Sequence, residues 1–201
     1  MMDVRSHRML SIVGVCLALM ACGGQTVEPL DPRDATLPSE TRQWIADAED
    51  GVIVARARLQ LMRERLTSER TTEERLADVR WAGGGAGPMS SASEQLSEAR
   101  VALAEAGVAQ AELSVELAKA KYKLANAERA MLHDLERYEL QPLRAEAEAV
   151  RVKLRATGDL VAKQQRAVDD AERRFWQAYA GYVRGGGKTS PYWATDLAAS
   201  D

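Results

Sequence analysis

Apolar residues return every three or four positions along three long stretches of the chain. Between Ser39 and Trp81 the row is Ile45, Ala48, Val52, Ala55, Leu59, Met62 and Leu66, resuming at Leu76 and Val79. This is the rhythm of a helix with one apolar seam. Glu69 and Glu73 occupy seam positions, and Gly51 costs about 1 kcal/mol relative to Ala, so this helix is locally weak. A second seam runs through Leu96, Ala99, Leu103, Ala106, Gln110, Leu113, Leu117, Ala120, Leu124, Ala127 and Met131. Small residues there allow an antiparallel neighbour to approach closely, which predicts packing of the first helix on the second. A further row at Val101, Val108, Val115 and Tyr122 widens the apolar face and predicts a second neighbour. The third seam runs from Leu143 through Ala147, Val150, Leu154, Thr157, Val161, Gln164, Val168, Ala171, Phe175 and Ala178 to Tyr182.

The breaks between the seams set the topology. Ala82-Gly83-Gly84-Gly85-Ala86-Gly87-Pro88 cannot hold a helix, and Ser91-Ala92-Ser93-Glu94 matches a capping box at a new helix start. A chain reversal is expected here. Near Leu135 and Tyr138 the register drifts, and Pro142 follows. Pro142 either kinks one long helix or sits in the first turn of a third. Segments 39–81, 91–140 and 143–184 would each be about 63 to 75 Å long, and three near-equal rods suit an up-down-up bundle. Against a reversal, Leu140-Gln141-Pro142 offers no Gly, Asn or Asp for a tight turn. The expected fold is all-α: an antiparallel coiled-coil hairpin extended to an up-down-up three-helix bundle, with a hairpin carrying one long Pro-kinked arm as the alternative. The helical domain covers 39–184, and Gly185-Gly186-Gly187 opens a flexible tail over 185–201.

Composition agrees with long helices, since the chain has one Phe in 201 residues and is rich in Ala, Arg, Glu and Leu. The N-terminus differs from the rest. Arg5 and Arg8 precede an apolar run from Met9 to Met20 that ends in Leu19-Met20-Ala21-Cys22, the layout of a secretory signal peptide. Twelve residues span only about 18 Å as a helix, against about 30 Å of bilayer hydrocarbon, so the run does not predict a retained membrane span.

Leu19-Met20-Ala21-Cys22-Gly23 resembles the lipobox of bacterial lipoproteins. Met20 stands where a small residue is more usual. The resemblance implies cleavage after residue 21 and a diacylglycerol on Cys22, with an additional amide-linked acyl chain in many bacteria. Two or three chains at about 0.8 kcal/mol per buried methylene would anchor the protein durably. With Gly23 rather than Asp after the anchor, the resemblance further implies an outer-membrane lipoprotein facing the periplasm if the source is Gram-negative. The body, as in Leu117-Ala118-Lys119-Ala120-Lys121, is similar in composition to small alanine-rich helical lipoproteins of such bacteria.

Loss of residues 1–21 would remove Cys16, leaving Cys22 as the sole cysteine and no disulfide. Residues 22–38 read as a flexible lipidated tether, with Gly23, Gly24, Pro29, Pro32 and Pro38 and little apolar content. The mature chain would keep 25 basic and 29 acidic residues, a net charge of −4 with the signs interspersed. That excludes the one-sided basic footprint of a nucleic-acid binder.

No catalytic, cofactor or metal site is predicted. Gly187-Lys188-Thr189 hints at a phosphate loop, but the motif needs Gly at the position of Tyr182, a strand before it and a helix after it. His133 is the one histidine outside the removable segment; with Asp134, Glu136 and Arg137 beside it, the expectation is a solvated helix face on the polar or intermediate side of the second helix. Trp81, Phe175, Trp176, Tyr179 and Tyr182 are the candidate site, since an up-down-up bundle would bring them to one tip. They could form an aromatic plug, a patch for a protein partner, or an aromatic membrane belt if the third helix ran toward the bilayer.

The functional expectation is a non-enzymatic envelope lipoprotein, held to a membrane by its lipid anchor, whose rod serves as spacer, scaffold or adaptor for another envelope protein. Two other classes stay open: a holdase chaperone, which would need a cavity with exposed apolar walls, and a cell-wall-acting enzyme. Homo-oligomerisation is compatible with the seams.

Overall fold

A computed structural model of the chain describes residues 26–83 and 87–186, with the backbone alone for 78–83. Three helices of 45 residues follow one another, α1 (Ser39–Gly83), α2 (Pro88–Leu132) and α3 (Leu140–Arg184). Each is a rod of about 67 Å. They form an up-down-up three-helix bundle in which α2 packs against both neighbours. Cross-helix ion pairs mark the antiparallel register: Arg63 with Glu112 and Arg70 with Glu105 between α1 and α2, Lys123 with Glu146 and Arg144 with Glu128 between α2 and α3. The kinked-arm alternative is not what forms.

The second reversal lies earlier than the sequence predicts, and its chemistry is different. Helix α2 ends at Leu132 rather than near residue 140. His133 is the C-cap, Asp134 takes the left-handed conformation at φ 53°, Asp134 N–H donates to Met131 O, and Leu135 N–H donates to Ala130 O. These are the paired bonds of a Schellman ending, with Asp in the position usually held by Gly. Pro142 then falls in the first turn of α3, where its missing N–H removes no helical bond. Asp134→Gly is expected to raise stability by about 0.5 to 1 kcal/mol, because glycine adopts this conformation without the Cβ penalty. Thermal denaturation checks it: Asp134→Val should lower the midpoint, and equal midpoints for the two variants would contradict the strain argument.

The first reversal also departs from expectation. Gly87 is the N-cap of α2, Pro88 opens the helix, and no side chain caps it. Ser91 and Glu94 lie inside the helix, so they do not form the expected capping box there. Ser91 N–H donates to Gly87 O, a bond of the first turn.

The seams turn inward as predicted. Ile45 and Val52 of α1, Leu96, Leu103, Ala106, Ala120 and Ala127 of α2, and Leu143, Val168, Ala171 and Phe175 of α3 are buried. Their assignment to partners differs. Leu96 and Leu103 pack with Val168, Ala171 and Phe175, and Gly158 faces Gln110, so the main seam of α2 receives α3. Helix α1 lies on another row, where Met62 Sδ packs over Gly107 and where Ala104 and Ala111 are buried one turn to either side. Small residues on α2 thus receive the large side chains of α1. On a wheel of 100° per residue the row Leu96, Leu103 and Gln110 and the row Ala104, Gly107 and Ala111 are centred about 70° apart, somewhat wider than the about 60° of a closed triangle. Accordingly no Cα of α1 comes within 8 Å of one of α3 among the described residues. The bundle is open along one side because α1 and α3 each carry a single stripe.

Polar residues along the helices have local solutions. Arg100 is buried on α2 and pairs with Glu172 of α3 at 3.8 Å. Thr67, Thr71 and Thr72 donate to carbonyls four residues back, and α1 passes through Gly51 and Glu69 without a break.

Candidate functional site

The two ends of the bundle differ in chemistry. One carries the start of α1, the α2 to α3 turn and the N-terminal segment; the other carries the aromatic residues of α3.

At the first end, residues 26–38 are docked, in contrast to the flexible tether expected of them. Asp31 Oδ1 accepts from Arg33 N–H, and Asp34 N–H donates to Asp31 O. Asp34 Oδ1 in turn accepts from the N–H and hydroxyl of Thr36, and Leu37 N–H donates to Asp34 O. The two bonds from Thr36, hydroxyl first and amide second, hold the Asp34 carboxyl below its ordinary pKa. Two successive aspartate turns therefore order a stretch whose prolines alone read as flexible. Val27 and Leu30 pack against Ala127, Ala130, Tyr138 and Leu143. Leu30 N–H donates to Asn126 Oδ1 at 2.7 Å, while Asn126 Nδ2 donates to Tyr122 O at 2.8 Å. Asn126 is 1% exposed and fully engaged, a clasp between the segment and α2. Glu28 N–H donates to the Tyr138 hydroxyl, which itself donates to Glu136. The bond to Glu136 and burial of the ring both push the Tyr138 hydroxyl above its ordinary pKa.

His133 belongs to this end too. It is not on a solvated helix face: its Nε2 lies 2.7 Å from the hydroxyl of buried Thr41, tying the end of α2 to the start of α1. Asp134 and Glu136 serve the turn and Tyr138 rather than a helix surface. Nearby, the Arg129 guanidinium sits 4.4 Å from the centre of the exposed Trp44 ring. No group of three or more His, Cys, Asp or Glu that could hold a metal exists among the described residues.

At the second end the predicted aromatic residues divide. Phe175 is 1% exposed and packs among Met89, Ala92, Leu96, Val168 and Ala171. Trp176 is 46% exposed and meets the Phe175 ring edge-on at 5.2 Å, and Tyr179 stacks on Phe175 at 6.4 Å and meets Trp176 edge-on. Tyr182, a turn further on, is exposed. Trp81 lies in the last turns of α1, but its side chain is outside the described residues. Helix α3 runs parallel to α1 and away from the end that holds residue 26, so the aromatic group is distal to the N-terminal segment. Beside it, between α2 and α3, lies a shallow cleft of about 410 Å³ lined by Gln95, Glu98, Ala99, Ala167, Ala171 and Arg174. Arg174 donates to Gln95 across it. Cys22 and Gly187-Lys188-Thr189 are outside the described residues.

Asn126, Tyr138 and Thr41 were not legible as site residues. Asn126 interrupts an alanine-rich row between Ala125 and Ala127, and Thr41 extends the first seam four residues before Ile45. Those breaks in pattern were the available signals. What the two ends define is an elongated three-helix bundle with its N-terminal segment clasped at one end and aromatic residues exposed at the other. No family model, characterised protein or solved structure matches the chain.

Proposed function

We propose that the protein is a non-enzymatic envelope lipoprotein, acylated on Cys22, whose rod holds its aromatic end at a fixed height above a membrane for another envelope protein to engage. The observation that carries this reading is the docking of residues 26–37 at one end of the bundle. Residue 26 and the exposed Trp176 and Tyr182 stand at opposite ends of a rod of about 67 Å, which supports a distal contact if the chain is held by its N-terminus. Supporting it at the level of residues is the lipobox-like Leu19-Met20-Ala21-Cys22. In a Gram-negative source the site of action is the periplasmic face of the outer membrane. The described helices are amphipathic, and none is long and apolar enough to cross a membrane.

Cys22→Ser is expected to abolish acylation and partitioning into a detergent phase, with the mass of the mature N-terminal peptide as the measurement. An unmodified wild-type chain cleaved at another residue would end the anchoring part of the reading. In intact cells, a photo-crosslinker placed at Trp176 or Tyr182 should yield a discrete adduct, while one at exposed Lys163 in mid-rod should not. Adducts of equal yield at all three positions would contradict a distal contact.

A further inference from the structure

The docked N-terminal segment fixes more than orientation. Thr26 is the first described residue and stands two residues from Glu28, whose N–H is bonded to Tyr138 in the turn at the end of the bundle. Only four peptide units separate Cys22 from Thr26, a reach of about 14 Å at most. Acyl chains on Cys22 would therefore bring this end of the rod to the bilayer surface. The seventeen-residue tether, had it been free, would have reached about 55 Å.

That same end carries large apolar side chains that are half or more exposed. Leu132 is 63% exposed and Leu135 56% exposed, on either side of the Asp134 turn. Trp44 is 50% exposed, with Arg129 of α2 over its ring, and Arg129 stands one helical turn before Leu132. Two exposed leucines at a turn, with a tryptophan and an arginine just above them, match the depth profile of a bilayer interface: aliphatic tips inside, amphipathic rings among the headgroups. Residues 26–42 and 129–139 contribute seven carboxylates against four arginines, so the contact would be apolar rather than electrostatic.

We propose that the turn-bearing end of the bundle seats directly on a zwitterionic bilayer surface, with Leu132 and Leu135 inserted and Trp44 at headgroup level. This rests on acylation of Cys22. It makes the anchor a fixed mount, so the rod stands on the membrane rather than swinging from a leash.

The test uses the protein purified from membranes, with the mass of its N-terminal peptide read on the same preparation. Two single-tryptophan forms, one keeping Trp44 and one keeping Trp176 with the other tryptophans replaced by Phe, are reconstituted into vesicles of phosphatidylcholine with brominated acyl chains. Trp44 emission is expected to be quenched relative to unbrominated vesicles, and Trp176 emission to be unchanged. The pair Leu132→Ser and Leu135→Ser, both at exposed positions, should relieve the Trp44 quenching with helix content and acylation intact. Admixed phosphatidylglycerol should weaken the quenching, and salt should restore it.

An unmodified Cys22 overturns both the anchoring reading and this one. An acylated chain with Trp44 unquenched, whether left in water or covered by a second copy, overturns the seating alone. Equal quenching of Trp44 and Trp176 means a rod lying flat and overturns it as well. Stronger quenching with phosphatidylglycerol overturns the zwitterionic assignment.

Discussion

Phe175→Ala is expected to destabilise the bundle by about 3 to 5 kcal/mol, the usual cost of emptying a fully buried aromatic site. The ring is 1% exposed and fills the space between Leu96 and Met89 of α2 and Val168 and Ala171 of α3. Leu76 of α1, Ala99 of α2 and Val161, Ala178 and Tyr179 of α3 pack around this cluster but are only partly buried. Against a total stability of about 5 to 15 kcal/mol for a domain, this is a large fraction. Trp176→Ala, one residue on, should cost about 1 kcal/mol, since that ring is half exposed and loses mainly its edge contacts with Phe175 and Tyr179. Urea denaturation of the two variants separates a plug from a patch. Equal losses would show that the aromatic residues act as one packed unit, leaving no free ring for a partner.

Asn126→Ala should release the N-terminal segment while the helices persist. Its Oδ1 accepts the part-buried Leu30 N–H, so removal leaves that donor without its partner, at about 1 to 3 kcal/mol. The segment is held otherwise by Val27, Leu30 and the Glu28 to Tyr138 bond, and undocking returns the orphaned donor to water. Hydrogen exchange at the Leu30 amide is expected to accelerate roughly 5- to 150-fold, with exchange in the middle of α2 little changed. Tyr138→Phe should free the Glu28 amide more than that of Leu30. An unchanged Leu30 amide in Asn126→Ala would mean that the side-chain bond does not hold the segment. The consequence for function is direct: a chain undocked here would turn the proposed fixed mount into a leash.

How much was legible in advance is clearest residue by residue. The three seams were readable because a helix that buries one face must repeat apolar residues at its own period, and that demand is local. Ile45, Val52, Leu96, Leu103, Val168 and Phe175 were identified as core by spacing alone, and all are buried. The wider apolar face of α2 announced a second neighbour for the same reason, and the glycine run before Pro88 marked the first reversal.

Partner choice and the second reversal were not local. Which row of α2 receives α1 depends on fitting Met62 over Gly107 and on keeping Leu96 and Leu103 for Phe175, a competition settled only when all three helices are packed. The turn at Asp134 was hidden because aspartate tolerates the left-handed conformation without advertising it as glycine does. The clasp was the least visible. Asn126 and Tyr138 find their partners near residue 30 across about a hundred positions of sequence, and the same residues that looked like a solvated tether become ordered only because α2 and α3 offer them a surface. Periodicity in the sequence determined three rods and their inward faces; the tertiary structure decided their pairing, the open side and the end to which the N-terminal segment is fastened, since those depend on contacts between residues far apart in the chain.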